Sequence, residues 1–140
     1  MNIIDISTAF AKKEYAKHDK NHRWSHVQGV MKIALKLAKF YPKTNLEAIK
    51  LAVIFHDITY NNYKTHVDDS VKTAEKFLTA QKYPKRKIEK IKKIIFAHSS
   101  PHRRKFGDTK IIEGKIIYDS DKFELAITPK GQKNIMINYI

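Results

Sequence analysis

The chain contains no cysteine, which excludes a cysteine nucleophile, thiolate metal ligands and a disulfide framework. Glycine is also scarce, with four residues in 140, and the spacing of the apolar residues is mostly helical. No apolar run approaches the roughly 18 residues of a membrane span. The start, Met1 to Ser7, lacks the basic opening and apolar middle of a signal peptide, so a soluble cytoplasmic protein is expected. Acidic residues are few: 14 Asp plus Glu stand against 28 Lys plus Arg, a net charge of +14. Such a field draws in anions, whether nucleotides, nucleic acid or acidic membrane surfaces. Two basic patches stand out, Lys82 to Lys93 and His102 to Lys105. The first also reads as the solvated face of a helix in a lysine-rich chain.

What is present points to one all-α domain over residues 1–140, a helical bundle of about six helices long enough to bury roughly two-thirds of its unfolded surface. Ser7 is a candidate cap for a first helix reaching about His18, with Phe10, Ala11 and Tyr15 facing inward. A second helix starts near Ser25 and runs to about Phe40, stopped by Pro42. Asn45 is a good N-cap for a third, with Glu47 in its first turn. Residues 58–64 read as a polar and aromatic loop over its far end. A fourth helix opens near His66 and a fifth near Pro84, continuing to about His98. A polar loop from Ser99 to Asp108 leads to a last helix carrying Ile111, Ile112, Ile116, Ile117, Phe123 and Leu125. The stretch from Pro129 to Ile140 reads as a short strand or a docked tail.

The chemistry centres on His56 and Asp57. Chance alone supplies roughly 0.4 adjacent His-Asp pairs in a chain of this composition, so the bare dipeptide carries little information. Context separates the two that occur. His18-Asp19 lies in a polar run and reads as a solvated helix end, whereas His56-Asp57 follows the unbroken apolar run Leu51 to Phe55. A segment apolar on every side is a core helix, and a carboxylate delivered into a core is costly unless paired or metal-bound. Further imidazoles and carboxylates fall near predicted helix ends at His22, His26, His66, His98, His102, Asp119 and Asp121. Mixed imidazole and carboxylate donors suit Mn, Fe, Co, Ni or Zn better than Ca or Mg. Three or four such ligands leave positions open for water, whose pKa the metal lowers toward neutrality.

Five elements in order resemble the HD-domain metal-dependent phosphohydrolases over about residues 21–125. They are His22-Arg-Trp-Ser-His26-Val before a helix, Ala52-Val-Ile-Phe-His56-Asp57-Ile after one, His66 with Ser70 and Ala74, Ile94-Ile-Phe-Ala-His98-Ser, and Glu113-Gly-Lys-Ile-Ile-Tyr-Asp119-Ser-Asp121-Lys122-Phe. The resemblance implies His26, His56, Asp57 and Asp121 as ligands of a divalent transition metal in a helical bundle. It implies hydrolysis of a phosphoester or phosphoanhydride of a small phosphorylated molecule, a nucleotide above all, by metal-activated water. One ion is the expectation and two the alternative, with His66 and His98 matching positions that help hold a second ion. Lys122 resembles a phosphate-contacting residue of the nucleoside-triphosphate-cleaving branch, and Arg23 borders the same pocket. Asp57 would ligate the metal and orient the water, and His98, His66 or His22 would move the proton.

Departures from the family pattern narrow this reading. Many relatives carry Arg where this chain has Gly29, so a phosphate contact or a packing salt bridge would be missing. The Glu-Asp pair of the alarmone-hydrolysing branch is absent after Asp57, and no Gly-Tyr-Pro signature of the cyclic-di-nucleotide branch occurs. The chain runs only about nineteen residues beyond Asp121, so part of a usual pocket wall would be absent or supplied by a partner subunit. Asp119 reads as a residue supporting the site or ending a helix, His18 and His102 as surface residues, and Trp24 and Phe123 as packing. Two rival readings remain: a nucleic-acid-binding module using the basic fifth helix, and a non-catalytic domain that binds a phosphorylated ligand. No membrane partner is expected.

Overall fold

The computed structural model describes residues 2–18, 24–60, 65–107 and 109–126, the side chains of residues 106 and 126 excepted. These residues form seven α-helices and no strand: α1 (Ile3–Tyr15), α2 (Trp24–Ala38), α3 (Leu46–Phe55), α4 (His66–Ala80), α5 (Lys85–Ala97), α6 (Ser100–Phe106) and α7 (Ile112–Ala126). The expected all-helical bundle is present, with one helix more than the sequence reading gave. The expectations for His22, Arg23, Asn61 to Lys64 and the Pro129 to Ile140 stretch lie outside the described residues.

The bundle is built around α3. Asn45 caps it as expected, accepting from Ala48 N at 3.0 Å, and Leu51 through Phe55 are all buried. That continuous burial lets α3 pack against α1, α2, α4, α5 and α7 at once. The amphipathic helices supply the surrounding layer. Val27, Val30, Ala34 and Ala38 face inward from α2, Val71, Ala74 and Leu78 from α4, and Ile88, Ile91, Ile94 and Ile95 from α5. Each set recurs at intervals of three and four, the spacing of one helical face.

Two helix starts differ from the sequence reading. Asn2, not Ser7, caps α1, accepting from Asp5 N at 2.9 Å; Ser7 is buried within the helix. Ile3 and Ile4 pack against the core, and this favours the earlier start. The segment read as a polar loop contains α6, capped by Ser99, which accepts from His102 N at 3.2 Å, and ended by Gly107 at φ 82°. Smaller shifts follow from local turns: α2 ends at Ala38 rather than Phe40, and Pro84 precedes α5 instead of opening it.

Buried Glu113 in α7 ties the bundle across its base. Its carboxylate accepts from Asn45 N at 2.9 Å, at the start of α3, and pairs with Lys90 of α5 at 3.2 Å. Burial pushes its pKa upward, but the backbone donors and Lys90 outweigh it and hold the group below its ordinary value. A carboxyl lowered in the folded state stabilises above its unfolded pKa, and that stability is lost as pH falls through the folded value. Glu113→Ala is expected to cost about 1–3 kcal/mol at neutral pH. In urea denaturation series its deficit should shrink as the solution is acidified below about pH 4; a deficit that stays constant with pH would show that the charge plays no part.

Candidate metal centre

Four helices bring the predicted residues together. His26 lies in the first turns of α2, His56 is the C-cap of α3 with Asp57 next to it, His98 is the C-cap of α5, and Asp121 faces them from α7. All five are buried, His56 completely. Ligating atoms of His26, His56, Asp57 and Asp121 lie within 4.8 Å of one another, and a second group formed by Asp57, His66 and His98 shares the same carboxylate. His66 reaches it from the first turn of α4, with Nε2 3.7 Å from Asp57 Oδ1.

The imidazoles of α3 and α5 are oriented by one local device. Helix ends leave backbone carbonyls without intrahelical donors. His56 donates Nδ1–H to Val53 O at 2.6 Å, and His98 donates Nδ1–H to Ile95 O at 2.5 Å. With Nδ1–H committed, Nε2 of each ring is turned into the cluster. His56 Nε2 lies 3.3 Å from both His26 Nε2 and Asp121 Oδ1. His98 Nε2 lies 3.4 Å from Asp57 Oδ1, and His26 Nε2 lies 2.9 Å from Asp121 Oδ1.

Neutral imidazoles held this way would aim lone pairs at carboxylate oxygens, so the arrangement calls for a positive charge between them. Protons supply it in part. Burial alone would lower the pKa of His26, His56 and His98, but the Asp57 and Asp121 carboxylates outweigh it and raise all three. Burial would likewise raise Asp57 and Asp121, yet the facing imidazoles bring both below the usual carboxylate range. Asp57 Oδ1 is nonetheless buried with no hydrogen bond among the described residues. Buried acceptors in excess of donors, one of them orphaned, fit a divalent cation.

His26, Asp57, His66, His98 and Asp121 form the floor of an open cavity of about 210 Å³, lined also by Tyr60, Val67, Ser99, Pro101, Lys122 and Leu125. Lys122 Nζ stands 3.8 Å from Asp121 Oδ2 and 5.1 Å from the Tyr118 ring centre. Beyond Asp57 the chain is stapled to α4: Ser70 Oγ accepts from Thr59 N and donates to Thr59 O, both at 3.1 Å. Other expectations divide. Asp119 is exposed and lines a separate cavity with Arg103 and Tyr118. His102 is half-buried and stacks on Phe96. Trp24 packs against the core, whereas Phe123, read as packing, is 62% exposed.

Two participants escaped the sequence reading. Glu124 reaches His26 Nδ1 at 2.5 Å; its one signal was a position three residues after Asp121, the next turn of the same face. Tyr15, read as core, is fully buried, and its hydroxyl oxygen accepts from Asp57 N at 3.1 Å. Burial first, and the Asp57 charge second, push its pKa well above the ordinary tyrosine value, so the hydroxyl stays un-ionised.

A family model, the HD domain, matches residues 23–126. Among solved structures, a structural-genomics target from Lactobacillus plantarum superposes with a TM-score of 0.76 at 23% identity, covering 95% of this chain and 60% of its own. A protein from Listeria innocua, also a structural-genomics target, gives 0.65 at 26% identity, covering 99% of this chain and 65% of its own. The chain thus spans less than two thirds of either relative. No curated protein matches it.

Tyr15→Phe removes the oxygen that accepts from Asp57 N and leaves that buried N–H unpaired. A loss of about 1–3 kcal/mol in denaturation is expected, with amide exchange at residue 57 speeded more than at the middle of α3. Unchanged exchange at Asp57 would mean that the hydroxyl does not hold this backbone.

Proposed function

We propose that this chain, which belongs to the HD-domain family, is a metal-dependent phosphohydrolase acting on a small phosphorylated molecule, a nucleotide in the first instance. Members of the family are typically metal-dependent phosphohydrolases. The observation that supports the reading here is the convergence of His26, His56, Asp57 and Asp121, with His26, Asp57 and Asp121 lining an open cavity. Lys122 stands at the wall of that cavity.

In this reading those four residues hold one divalent Mn, Fe, Co, Ni or Zn ion, and Asp57, His66 and His98 offer a place for a second. A bound ion of this kind polarises a phosphoryl oxygen and supplies hydroxide near neutral pH. Asp57 turns Oδ2 toward His26 and His56 and Oδ1 toward His66 and His98, so it can serve as ligand and orient the attacking water. His98 and His66, beside that second oxygen, carry the proton to the leaving oxygen in this reading. Lys122 supplies positive charge for the equatorial phosphoryl oxygens. His22 and Arg23 keep the proton-transfer and substrate-binding roles that the family resemblance implies.

The test combines metal content by mass spectrometry with hydrolysis of a panel of nucleotides and other phosphate esters. Wild type is expected to carry one or two divalent ions and to turn over a phosphate ester. Asp57→Ala should stay helical, lose the metal and fall in turnover by about a hundredfold or more. The pH dependence has a definite sign. The pKa values of His26, His56 and His98 are raised, so protons occupy these three rings at pH values where ordinary histidine is neutral, and a metal must displace them. Calorimetry should therefore show proton release on binding and weaker affinity at about pH 6 than at about pH 8. Failure of wild type to bind any divalent metal after supplementation would sink the catalytic reading.

A further inference from the structure

The imidazoles of His56 and His98 are oriented by carbonyls of their own helix ends, but His26 has no such partner among the described residues. It lies in the first turns of α2, with the helix continuing to Ala38, so the carbonyls around it serve as acceptors for later turns. Its Nδ1–H is instead taken by Glu124 of α7 at 2.5 Å. Glu124 is buried and sits one turn beyond Asp121, so consecutive turns of α7 grip the two ring nitrogens: Asp121 at Nε2 and Glu124 at Nδ1.

Space for this grip comes from residue 29. A Cβ built on Gly29 would stand 2.7 Å from Glu124 Cγ and 3.0 Å from Oε1. The first distance is below any real contact, and Cγ is too near the α7 backbone to swing clear without moving the carboxylate. Gly29 lies in α2, where glycine costs about 1 kcal/mol relative to alanine, so its presence calls for a packing reason. The passage of Glu124 provides it.

We propose that Glu124 is a positioning residue for metal binding: it fixes His26 with Nδ1 protonated and Nε2 open toward the cluster, and Gly29 is its steric complement. A carboxylate behind a ligating histidine sets the ring's tautomer and raises its donor strength, and removing such a partner typically weakens metal binding tenfold to a hundredfold. The proposal rests on the metal-centre reading above.

The test uses Co²⁺ alone, titrated by calorimetry and by its visible absorption, together with imidazole ¹⁵N shifts of His26. Glu124→Ala is expected to weaken Co²⁺ binding about tenfold to a hundredfold and to shift His26 away from the Nδ1–H tautomer. Glu124→Gln keeps an oxygen able to accept Nδ1–H and should recover most of the affinity. Gly29→Ala should weaken binding by displacing Glu124, and should add little when Glu124 is already alanine. The proposal is overturned if folded Glu124→Ala binds Co²⁺ like wild type, if its His26 tautomer is unchanged, or if Gly29→Ala does equal damage in both backgrounds. Absence of Co²⁺ binding in wild type would instead bring down the metal-centre reading itself, with the ¹⁵N shifts still reporting whether Glu124 orients the ring.

Discussion

Keeping the Asp57 carboxylate charged at the end of a buried helix is the constraint on which the rest of the molecule depends. Such a group, left alone, would take up a proton. Burial pushes it that way, but the imidazoles of His56 and His98 outweigh burial and leave it more acidic than a free carboxylate. The same carboxylate, with Asp121, raises the proton affinity of those rings. Compensation of this mutual kind holds only while α2, α3, α5 and α7 keep their places, because removing one member leaves another charged and unpaired. Packing around α3 and the electrostatics of the cluster are therefore one problem. The Glu113 bridge to Asn45 and Lys90 fixes the far end of α3, and the Tyr15 contact to Asp57 N fixes the near end.

Donor direction in this centre is largely a consequence of where helices stop. A histidine at a C-cap finds a carbonyl three residues back that takes its own backbone N–H and has room for a second donor; it gives Nδ1–H to that oxygen and so presents Nε2 outward. His56 and His98 both do this. Each follows an apolar run that buries the helix end, so a buried, oriented imidazole arises from local sequence alone. His26 departs from the pattern because it sits at the beginning of a helix, and its orientation has to come from Glu124, 98 residues away in the chain.

That distinction decides what could be read from the sequence. The runs before His56 and His98, the Asn45 cap and the spacing on α2, α4 and α5 are local signals, and the structure follows them. The grouping of His26, His56, Asp57 and Asp121 was legible only through the order of five motifs, since no local rule says that α2 and α7 meet. Glu124 and the hydroxyl of Tyr15 were not legible, because each acts through a tertiary contact that a position in a helix does not announce. Gly29 stands as a missing arginine against the family pattern, and in space it is also room for a carboxylate, which no local signal announces. Helix α6 had its start and stop signals in Ser99, Pro101 and Gly107. Its seven residues, Ser-Pro-His-Arg-Arg-Lys-Phe, show no apolar stripe, so periodicity does not announce it.

The charge of the chain takes a different meaning once side chains have partners. On α5, Lys90 is paired with Glu113, Lys92 bridges Glu75 and Glu89, and Lys87 leans on the Tyr83 ring. Two lysines of the patch that suggested nucleic acid, Lys90 and Lys92, thus tie α5 to α7 and α4, and a phosphate backbone would have to compete for them. The net charge of +14 still sets up a long-range field, but salt screens it beyond about 8–10 Å, so it can steer an anion without seating it. Seating depends on the cavity, whose floor carries the Asp57 and Asp121 carboxylates and whose wall carries Lys122. An anion entering there passes Lys122 at the wall and then faces two carboxylates at the floor. Positive charge within the cluster, from protonated imidazoles or from a bound cation, must first cancel the floor. The basic surface and the acidic centre are in this sense complementary: the field of one attracts anions, and the other repels them until its own charge has been neutralised.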